Sequence, residues 1–453
     1  MYLAYNTVHI EKLGKPAVML LNKIFEQDAR SGVSVRNLPG LRIVATNIPC
    51  EIPNAEDIRV GVDMVLDNLI HAMTRPLTEE ERSPKMKEEK PLRVIFKGNL
   101  QEVNKFFYRR GWSYSLPVLP PTEEAVREIL TGTDLPPEYV VTKLPTRGGK
   151  ATVEKIAINA AMAGALPIHM PVLIAAVKAL MTPPIRIEMY MASVASWAPF
   201  WIINGPIRND LRINSGQSCL SQENLANGAI ARAMGLIIRN IGGVRPGIEE
   251  MSIFGHEGKY SMATGENEED SPWEPLHVEY EGLNKDDNAI TFFYTLSRTM
   301  MILFPYGEDA DAILRGIIYN LSPGLPGATC LILNPGTARR LANAGWTKKE
   351  IVSFLAEYGR MPAYAHPEGT QRMHRVIPKE RRPLDPMMSM SILSSKFLRV
   401  MVGGGTINNY NAILFFGGYT PYGNWATQKI ELPGNWDKLV EKYKDIVPTY
   451  THY

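Results

Sequence analysis

Residues 197–206, with the sequence WAPFWIINGP, indicate the fold class most directly. The apolar run predicts a buried strand, and Asn204-Gly205-Pro206 predicts the turn that ends this strand. Ligands of open α/β sheets collect at the carboxyl ends of strands. Asn204 is therefore a candidate contact for a substrate.

Segments on both sides of this stretch extend the same pattern. The predicted helices are residues 100–110, 151–163, 170–181, 221–240, 309–319, 337–343 and 347–358. The predicted strands are residues 92–96, 185–192, 197–203, 289–296, 330–334, 398–402 and 412–416. Alternation of this kind is typical of α/β proteins. It predicts a large mixed α/β domain over residues 92–453, with a division near residue 284 left open.

The N-terminal segment, residues 1–76, predicts only part of an α/β layer. Apolar runs at residues 17–21 and 41–47 predict two strands, and residues 58–73 have helical spacing. Two strands do not make a stable open sheet by themselves. We therefore expect a partial Rossmann-like unit whose sheet is completed by downstream sequence or by another polypeptide. A charged segment, residues 77–91, predicts a solvated linker to the large domain.

Composition limits the classes of function and location. A formal net charge of +2 provides no electrostatic case for nucleic acid binding. No run of about 18 apolar residues predicts a membrane span, and the first dozen residues lack the regions of a secretion signal. The three cysteines, Cys50, Cys219 and Cys330, match neither a disulfide framework nor a zinc ribbon. We expect a soluble cytoplasmic protein whose partners are small molecules and other proteins.

Residues 204–279 combine glycine, asparagine, arginine and carboxylate residues, and they include two of the eight histidines. Glycine lets the backbone approach a ligand, and the polar side chains supply directed donors and acceptors. This density predicts an active site.

Acid–base residues are the main candidates within this region. They are His256, Lys259, Glu266, Glu268 and His277. Imidazole and carboxylate groups that lie together exchange protons with a substrate. The same groups suit a divalent metal, and a purely structural role for either histidine stays open. Because the spacing matches no known metal motif, we favour proton transfer and assign neither a metal nor an organic cofactor.

The motif Arg147-Gly148-Gly149-Lys150 lies between a predicted strand and a helix that begins near Thr152. Free backbone N–H groups at a helix start, together with Arg and Lys, can hold a carboxylate or phosphate. The motif lacks the spacing of a P-loop or of a dinucleotide-binding loop. Anion binding at Arg147, Gly148 and Gly149 and an ordinary helix start therefore both stay open.

Polar residues on and before the predicted long helix are further candidates for substrate binding. Asn214 and Ser215 approach its N-terminus, where the helix dipole favours an anion, and Cys219 is a weaker candidate for a nucleophile. Arg232 and Arg239 are seven residues apart, so they project from one face of the helix. They are placed to hold a substrate carboxylate or, alternatively, to form salt bridges with the later glutamates.

Several linked motifs resemble one known family. They are Trp112 with Leu116-Pro117-Val118, Arg147-Gly148-Gly149, Asn204-Gly205-Pro206, Asn214-Ser215-Gly216, Gly242-Gly243 with Arg245-Pro246-Gly247, and residues 255–277. Together these motifs cover roughly residues 111–279, and they resemble the UGSC-type (seleno)protein family. In that family, a Cys or selenocysteine followed by Gly-Ser-Cys lies at a strand-to-helix turn of another domain.

The resemblance extends to the N-terminus, where residues 8–16 resemble the end of the helix that follows this turn. The turn itself is absent from this sequence. The resemblance therefore implies a smaller partner subunit that carries the Cys-Gly-Ser-Cys or selenocysteine-Gly-Ser-Cys turn and completes the sheet. Loss of the redox centre is the alternative. Cys219 does not lie at the position of the turn.

Three functions are compatible with these residues. The favoured one is the large subunit of a heteromeric enzyme that acts on a small polar or anionic substrate by thiol-assisted reductive or eliminative chemistry. Attack by a thiolate needs a proton donor for the leaving group, which the His, Glu and Lys residues supply. The alternatives are a hydratase or lyase that uses the His and Glu residues, with or without a metal, and a non-catalytic ligand-binding subunit. We expect a hetero-oligomer.

Overall fold

The fold is taken from a computed structural model, which describes residues 2–49, 54–82, 94–183, 185, 187–221, 223–303, 310–321, 327–366, 385–406, 410–417 and 424–446. The helices are α1 (Tyr2–Lys12), α2 (Glu26–Val35), α3 (Ala55–Asp63), α4 (Leu66–Thr74), α5 (Glu79–Arg82), α6 (Leu100–Arg109), α7 (Glu123–Leu130), α8 (Val153–Ala163), α9 (Met170–Ala179), α10 (Ile187–Met191), α11 (Ile207–Asp210), α12 (Leu225–Asn240), α13 (Leu276–Glu281), α14 (Ala310–Tyr319), α15 (Pro335–Asn343), α16 (Lys348–Tyr358) and α17 (Trp436–Tyr443). None of the helices within these ranges combines the length and the apolar character that spanning a bilayer requires.

The strands are β1 (Val18–Asn22), β2 (Arg42–Thr46), β3 (Val140–Leu144), β4 (Gly149–Thr152), β5 (Ala198–Asn204), β6 (Ala263–Gly265), β7 (Ala289–Leu303), β8 (Thr329–Leu333), β9 (Arg360–Pro362), β10 (Ser389–Ser391), β11 (Leu398–Val402), β12 (Tyr410–Gly417) and β13 (Ala426–Lys429). They form one large mixed sheet and three pairs of strands. Helices and mixed sheets occur together throughout, so the predicted α/β class is confirmed.

The N-terminal unit contains a sheet of two strands among the residues described. β1 and β2 pair in parallel, with Val18 opposite Arg42, at the positions that the sequence predicts. α1 and α2 share with this sheet a small core of Ala4, Val8, Met19, Ala29, Val33 and Leu41. The prediction of one helix over residues 58–73 is wrong, because the chain turns at Met64 and Val65 and forms α3 and α4 instead.

The segment between the two units has structure of its own. α5 lies within the predicted linker, and Glu81 in α5 pairs with Arg42 and Arg75. Residues 83–91 of the linker lie outside the described residues. The strand predicted at residues 92–96 is wrong for its described part, because Phe96 stacks on Phe106 of α6 instead of pairing in a sheet.

The large sheet has seven strands in the order β11-β8-β12-β7-β5-β6, with β13 paired to β7. β5 and β6 are parallel, and so are β8 and β11, whereas the pairs that involve β7 or β12 are antiparallel. β7 is 15 residues long, and its first half pairs with β5 while its second half pairs with β12. The sheet curls into a half-barrel, and β7 is the strand that its two halves share.

Successive side chains along the strands point to opposite faces of the sheet, and each face is covered by its own layer of hydrophobic core. Phe200, Phe293 and Phe415 lie in one layer, where Phe200 stacks on Phe415 at 4.5 Å between ring centroids. Trp201 and Ile203 of β5 point to the opposite face and pack with buried residues of α8, α9 and α12. The period of two along the strand therefore buries both faces of the sheet.

Residues 185–192, predicted as a strand, contain the short helix α10 instead. Ile187, Tyr190 and Met191 are buried on one side of this helix. Tyr190 stacks on Tyr294 of β7 at 4.3 Å. Spacings of three and four residues between the buried positions are the helical period, so the correct signal was present in the sequence but was too short to outweigh the apolar content.

Candidate functional site

The five predicted acid–base residues fall into two groups that lie on opposite sides of β6. His256 and Lys259 precede this strand, whereas Glu266, Glu268 and His277 follow it. β6 runs parallel to β5, so the first group lies towards the start of β5 and the second group towards its end. The structure therefore does not bring the predicted acid–base residues together in one site.

The two glutamates of the second group are part of a buried network, which we call the interior cluster and define as Asn204, Arg208, Glu266, Glu268 and Lys348. The amide nitrogen of Asn204 donates to Glu266 Oε2 at 2.6 Å and to Glu268 Oε1 at 2.9 Å. Lys348 Nζ lies 3.6 Å from Glu266 Oε1, and both side chains are fully buried. Arg208 Nε lies 3.1 Å from Glu268 Oε1.

The interior cluster also binds the backbone of several separate segments. Glu266 Oε2 accepts a hydrogen bond from Leu276 N at 2.7 Å, and Glu268 Oε1 accepts one from Gly205 N at 2.8 Å. Lys348 Nζ donates to Glu274 O at 2.6 Å. A buried charge is tolerated when it is paired and hydrogen-bonded. These contacts therefore fix the ends of β5 and β6 to α13 and α16.

His277 lies on α13 and is fully buried. Neither of its ring nitrogens has a hydrogen-bond partner among the described residues. Proton exchange between His277 and the glutamates needs a hydrogen bond or a bridging group. The expected pairing of His277 with Glu266 or Glu268 is therefore not formed in the structure.

Asn214 and Ser215 lie near the carboxyl end of β6 but not at the start of a helix. α12 begins at Leu225, and its cap is Asn224, so the prediction that the helix dipole acts on Ser215 is wrong. Asn227 holds the backbone of Asn214 through two hydrogen bonds, at 2.9 and 3.0 Å. Ser215 O accepts a hydrogen bond from Gly404 N at 2.9 Å.

Cys219 is buried beside the same turn. Burial raises the pKa of its thiol, against the effect of hydrogen bonds from Thr264 and from the backbone of Gly404. A thiol with a raised pKa is protonated near neutral pH, and the thiolate is the reactive form. The structure therefore does not activate Cys219 as a nucleophile.

Arg232 and Arg239 project from one face of α12, as the spacing predicts. Arg232 donates to Pro117 O, and Arg239 donates to Gly111 O. The guanidinium of Arg239 also lies 4.5 Å from the centre of the Tyr114 ring. Both arginines therefore hold the segment that precedes α7, and neither one is paired with a later glutamate in the described chain.

Arg147, Gly148 and Gly149 form a hairpin turn, not the start of a helix. β3 and β4 pair antiparallel with Leu144 opposite Gly149, and Gly148 has a φ of 67°. α8 begins later, and its N-terminus is capped by the side chain of Thr152. The prediction that free N–H groups at a helix start bind an anion here is therefore wrong. The side chain of Arg147 nevertheless lines a large cleft.

Lys259 of the first group lies in a partly exposed cluster, which we call the junction cluster and define as Glu250, Ser252 and Lys259. His256 lies in the same loop, where its side chain contacts Gly258 and Glu257 instead. Lys259 Nζ contacts Glu250 Oε1 and donates to Ser252 Oγ at 3.2 Å. Ser252 Oγ donates to Glu250 Oε1 at 2.6 Å. The Lys259 side chain remains 17% exposed. The cluster therefore joins an amine, a hydroxyl and a carboxylate within reach of solvent.

Burial changes the protonation of this cluster and of His256. It lowers the pKa of Lys259 to about 8, while the carboxylate of Glu250 acts in the opposite direction. Burial also lowers the pKa of His256, whose Nδ1 accepts a hydrogen bond from Gly258 N at 2.9 Å. At neutral pH the imidazole is therefore neutral, and the lysine is charged but close to its midpoint.

The junction cluster lies where the N-terminal unit meets the large domain. Glu249, next to Glu250, is buried and accepts a hydrogen bond from Ser31 of α2 at 2.9 Å. Tyr5 of α1 is hydrogen-bonded to the backbone of Thr146 in the hairpin turn. The loop that carries the cluster also exposes a large aromatic side chain, Phe254, which is 95% accessible.

No protein-family model matches the chain, and no curated protein is significantly similar to it. Among the described residues, no three His, Cys, Asp or Glu side chains are grouped so that they could hold a metal ion.

Sequence reasoning missed Glu250, Ser252 and Lys348. Glu250 and Ser252 lie in the loop that contains His256, so their proximity in sequence was a usable signal. Lys348 is 82 residues from Glu266, and nothing local marks their pairing.

Proposed function

We propose that the chain is the large subunit of a heteromeric enzyme that acts on a small anionic substrate, with Lys259 as the proton-transferring residue. The observation that carries the proposal is the junction cluster. It holds a partly exposed amine, with a pKa of about 8, beside a carboxylate and a hydroxyl. A group with a pKa near the working pH is an effective general acid or base.

The chemistry that we propose follows from the resemblance to the UGSC-type family. A thiolate or selenolate of a smaller subunit attacks the substrate and forms a bond to it. The bond to the leaving group breaks, and the leaving group departs with the electron pair and takes a proton from the ammonium group of Lys259. Attack by a thiolate and protonation of the leaving group are both needed for this step.

Support for a second subunit comes from the N-terminal unit. Parallel sheets are normally covered on both faces and contain more than two strands, whereas β1 and β2 pair only with each other in the described chain. α3 and α4 contain no buried residue. Large apolar side chains are exposed around this sheet, namely Leu13, Ile24, Met64, Ile70 and Met73. Strands and apolar contacts from another polypeptide would complete such a unit.

The test is native mass spectrometry of the chain purified from its own cells. We expect a smaller protein with a Gly-Ser-Cys turn in a fixed ratio to the chain. Met64→Asp, at a position 76% exposed on the N-terminal unit, removes this protein because a carboxylate in an apolar interface is not paired. Tyr319→Asp, at a position 83% exposed on the large domain, is the matched control and retains it. A chain that is monodisperse and fully active alone contradicts the proposal.

A non-catalytic ligand-binding subunit is the second candidate function, because the structure contains a large cleft. It predicts that Lys259→Met leaves the turnover of the assembly unchanged. The hydratase or lyase alternative gains no support from the described hydrogen bonds, since the imidazole of His277 is hydrogen-bonded to neither Glu266 nor Glu268.

A further inference from the structure

A cleft of about 980 Å³ lies between α8, the end of α12 and the segment that runs from residue 94 through α6. Most of its lining side chains are apolar. They include Phe96, Phe107, Trp112, Ile158, Met162 and Ile241. Clefts of 300–1,000 Å³ with apolar walls are typical binding sites for small molecules.

Aromatic rings form one wall of this cleft. Phe96 stacks on Phe106 with 4.6 Å between the ring centroids, and Phe107 meets Trp112 edge to face at 5.6 Å. Phe96 stays partly exposed, together with its neighbours Val94 and Ile95. A planar apolar molecule would cover these rings and remove apolar surface from water.

The charge at the cleft is positive. Lys97, Arg147 and Lys155 line it, and Glu123 is its one acidic lining residue, so its ionisable side chains sum to +2. Among the residues that the structure describes, no ion pair with a carboxylate involves any of these three cations. Cations without an acidic partner are available to a ligand anion.

Two asparagines supply a further polar contact. Asn240 Nδ2 donates to Asn159 Oδ1 at 2.8 Å and to Trp112 O at 3.1 Å, which fixes both side chains at the lining. The remaining oxygen of Asn240 is buried and has no donor among the described residues. A buried acceptor without a donor is unfavourable, so a hydroxyl or N–H group on a ligand would stabilise this wall.

We propose that this cleft binds a small planar apolar molecule that carries an oxyanion, either a carboxylate or a phosphate. The rings hold the apolar body, and the side chain of Arg147 binds the oxyanion together with the lysines. Neither Lys259 nor Glu250 lines the cleft. The site therefore goes beyond the proposed function, and it stands or fails independently of the junction cluster.

Isothermal titration calorimetry with 2-naphthoate at pH 7 tests the proposal. We expect saturable binding of one molecule per chain, at least about tenfold tighter than binding of the neutral 2-naphthalenemethanol. Arg147→Gln weakens the binding of 2-naphthoate by about tenfold, because a charge-assisted hydrogen bond is lost. Lys150→Gln removes the same charge from the same hairpin at a residue outside the lining, and it changes the affinity less than about twofold.

Two further variants separate the cleft from other effects. Phe96→Ala weakens the binding of 2-naphthoate without lowering the unfolding temperature, since this ring is only partly buried. Lys259→Met leaves the binding unchanged. Titration with 2-naphthyl phosphate identifies the oxyanion. If the phosphate binds more tightly than 2-naphthoate, the natural ligand carries a phosphate, and if it binds more weakly, the natural ligand carries a carboxylate. The proposal is overturned if the neutral alcohol binds as tightly as 2-naphthoate, or if 2-naphthoate does not bind at millimolar concentration. It is also overturned if Arg147→Gln and Lys150→Gln weaken the binding of 2-naphthoate equally.

Discussion

Lys259 and Lys348 both contact carboxylates, but the two lysines differ in their access to solvent. Lys348 is fully buried with Glu266, donates to a backbone carbonyl and lies 3.3 Å from Glu279 Oε2. Lys259 lies in the junction cluster and keeps 17% of its side chain exposed. A paired charge in the interior holds segments of chain together, whereas a partly exposed charge of lowered pKa can exchange its proton with a substrate.

The largest expected effect is on stability, from Lys348→Met. The change leaves Glu266 buried without its cation, which costs about 3–5 kcal/mol in the free energy of unfolding. Urea denaturation measures this loss. Adding Glu266→Gln restores part of it, because the uncompensated charge is then removed. Lys349→Met, at the exposed neighbouring residue, is the control. If Lys348→Met and Lys349→Met have the same free energy of unfolding, the interior cluster is not a stabilising network.

Lys259→Met is expected to lower the turnover of the assembly by at least about a hundredfold, because a general acid is lost. The free energy of unfolding falls less than in Lys348→Met, because Lys259 and Glu250 keep 17% and 12% of their side chains exposed. Lys285→Met, which removes an exposed lysine, is the matched control for charge. If Lys259→Met unfolds at a lower urea concentration but keeps normal turnover, Lys259 stabilises the fold and is not the proton donor.

The pH dependence of turnover tests the same residue without a substitution. The protonated amine is the proposed donor, so kcat falls as the pH rises through about 8, the pKa to which burial lowers Lys259. Glu250→Gln removes the adjacent carboxylate that favours the charged amine, and the fall then shifts to lower pH, by about one unit. A profile that is flat from pH 7 to pH 9 would exclude Lys259 as the donor.

The buried central strands of the large sheet were predictable from the sequence. A continuous apolar run such as the one in β5 has one good solution, burial on both faces of a sheet. β8 and β11 were found for the same reason. β1 and β2 were found from their apolar runs, although most of their residues are only partly buried. α10 was missed because its five residues are too few for the helical period to be read.

The candidate site was less predictable, because its contacts depend on tertiary structure. His256 and Glu266 are ten residues apart, but β6 lies between them and directs them to different surroundings. The Arg147 motif contains the glycines of a hairpin turn, and glycine at a positive φ serves a turn as well as it serves an anion cradle. Residue types therefore identified polar clusters but not their partners.

Arg239 differs from both lysines because it has no carboxylate partner among the described residues, and it is expected to give the smallest effect. It is partly buried, but its partners are neutral, namely Gly111 O and the ring of Tyr114. Arg239→Gln therefore lowers the free energy of unfolding by about 1 kcal/mol, and it leaves KM for the substrate unchanged. Arg109→Gln, at an exposed position on α6, controls for the loss of charge. A tenfold rise in KM without a loss of stability would instead support the substrate-binding role that the helical spacing predicts. The loss of an arginine that only holds a neighbouring segment does not weaken substrate binding while stability is unchanged.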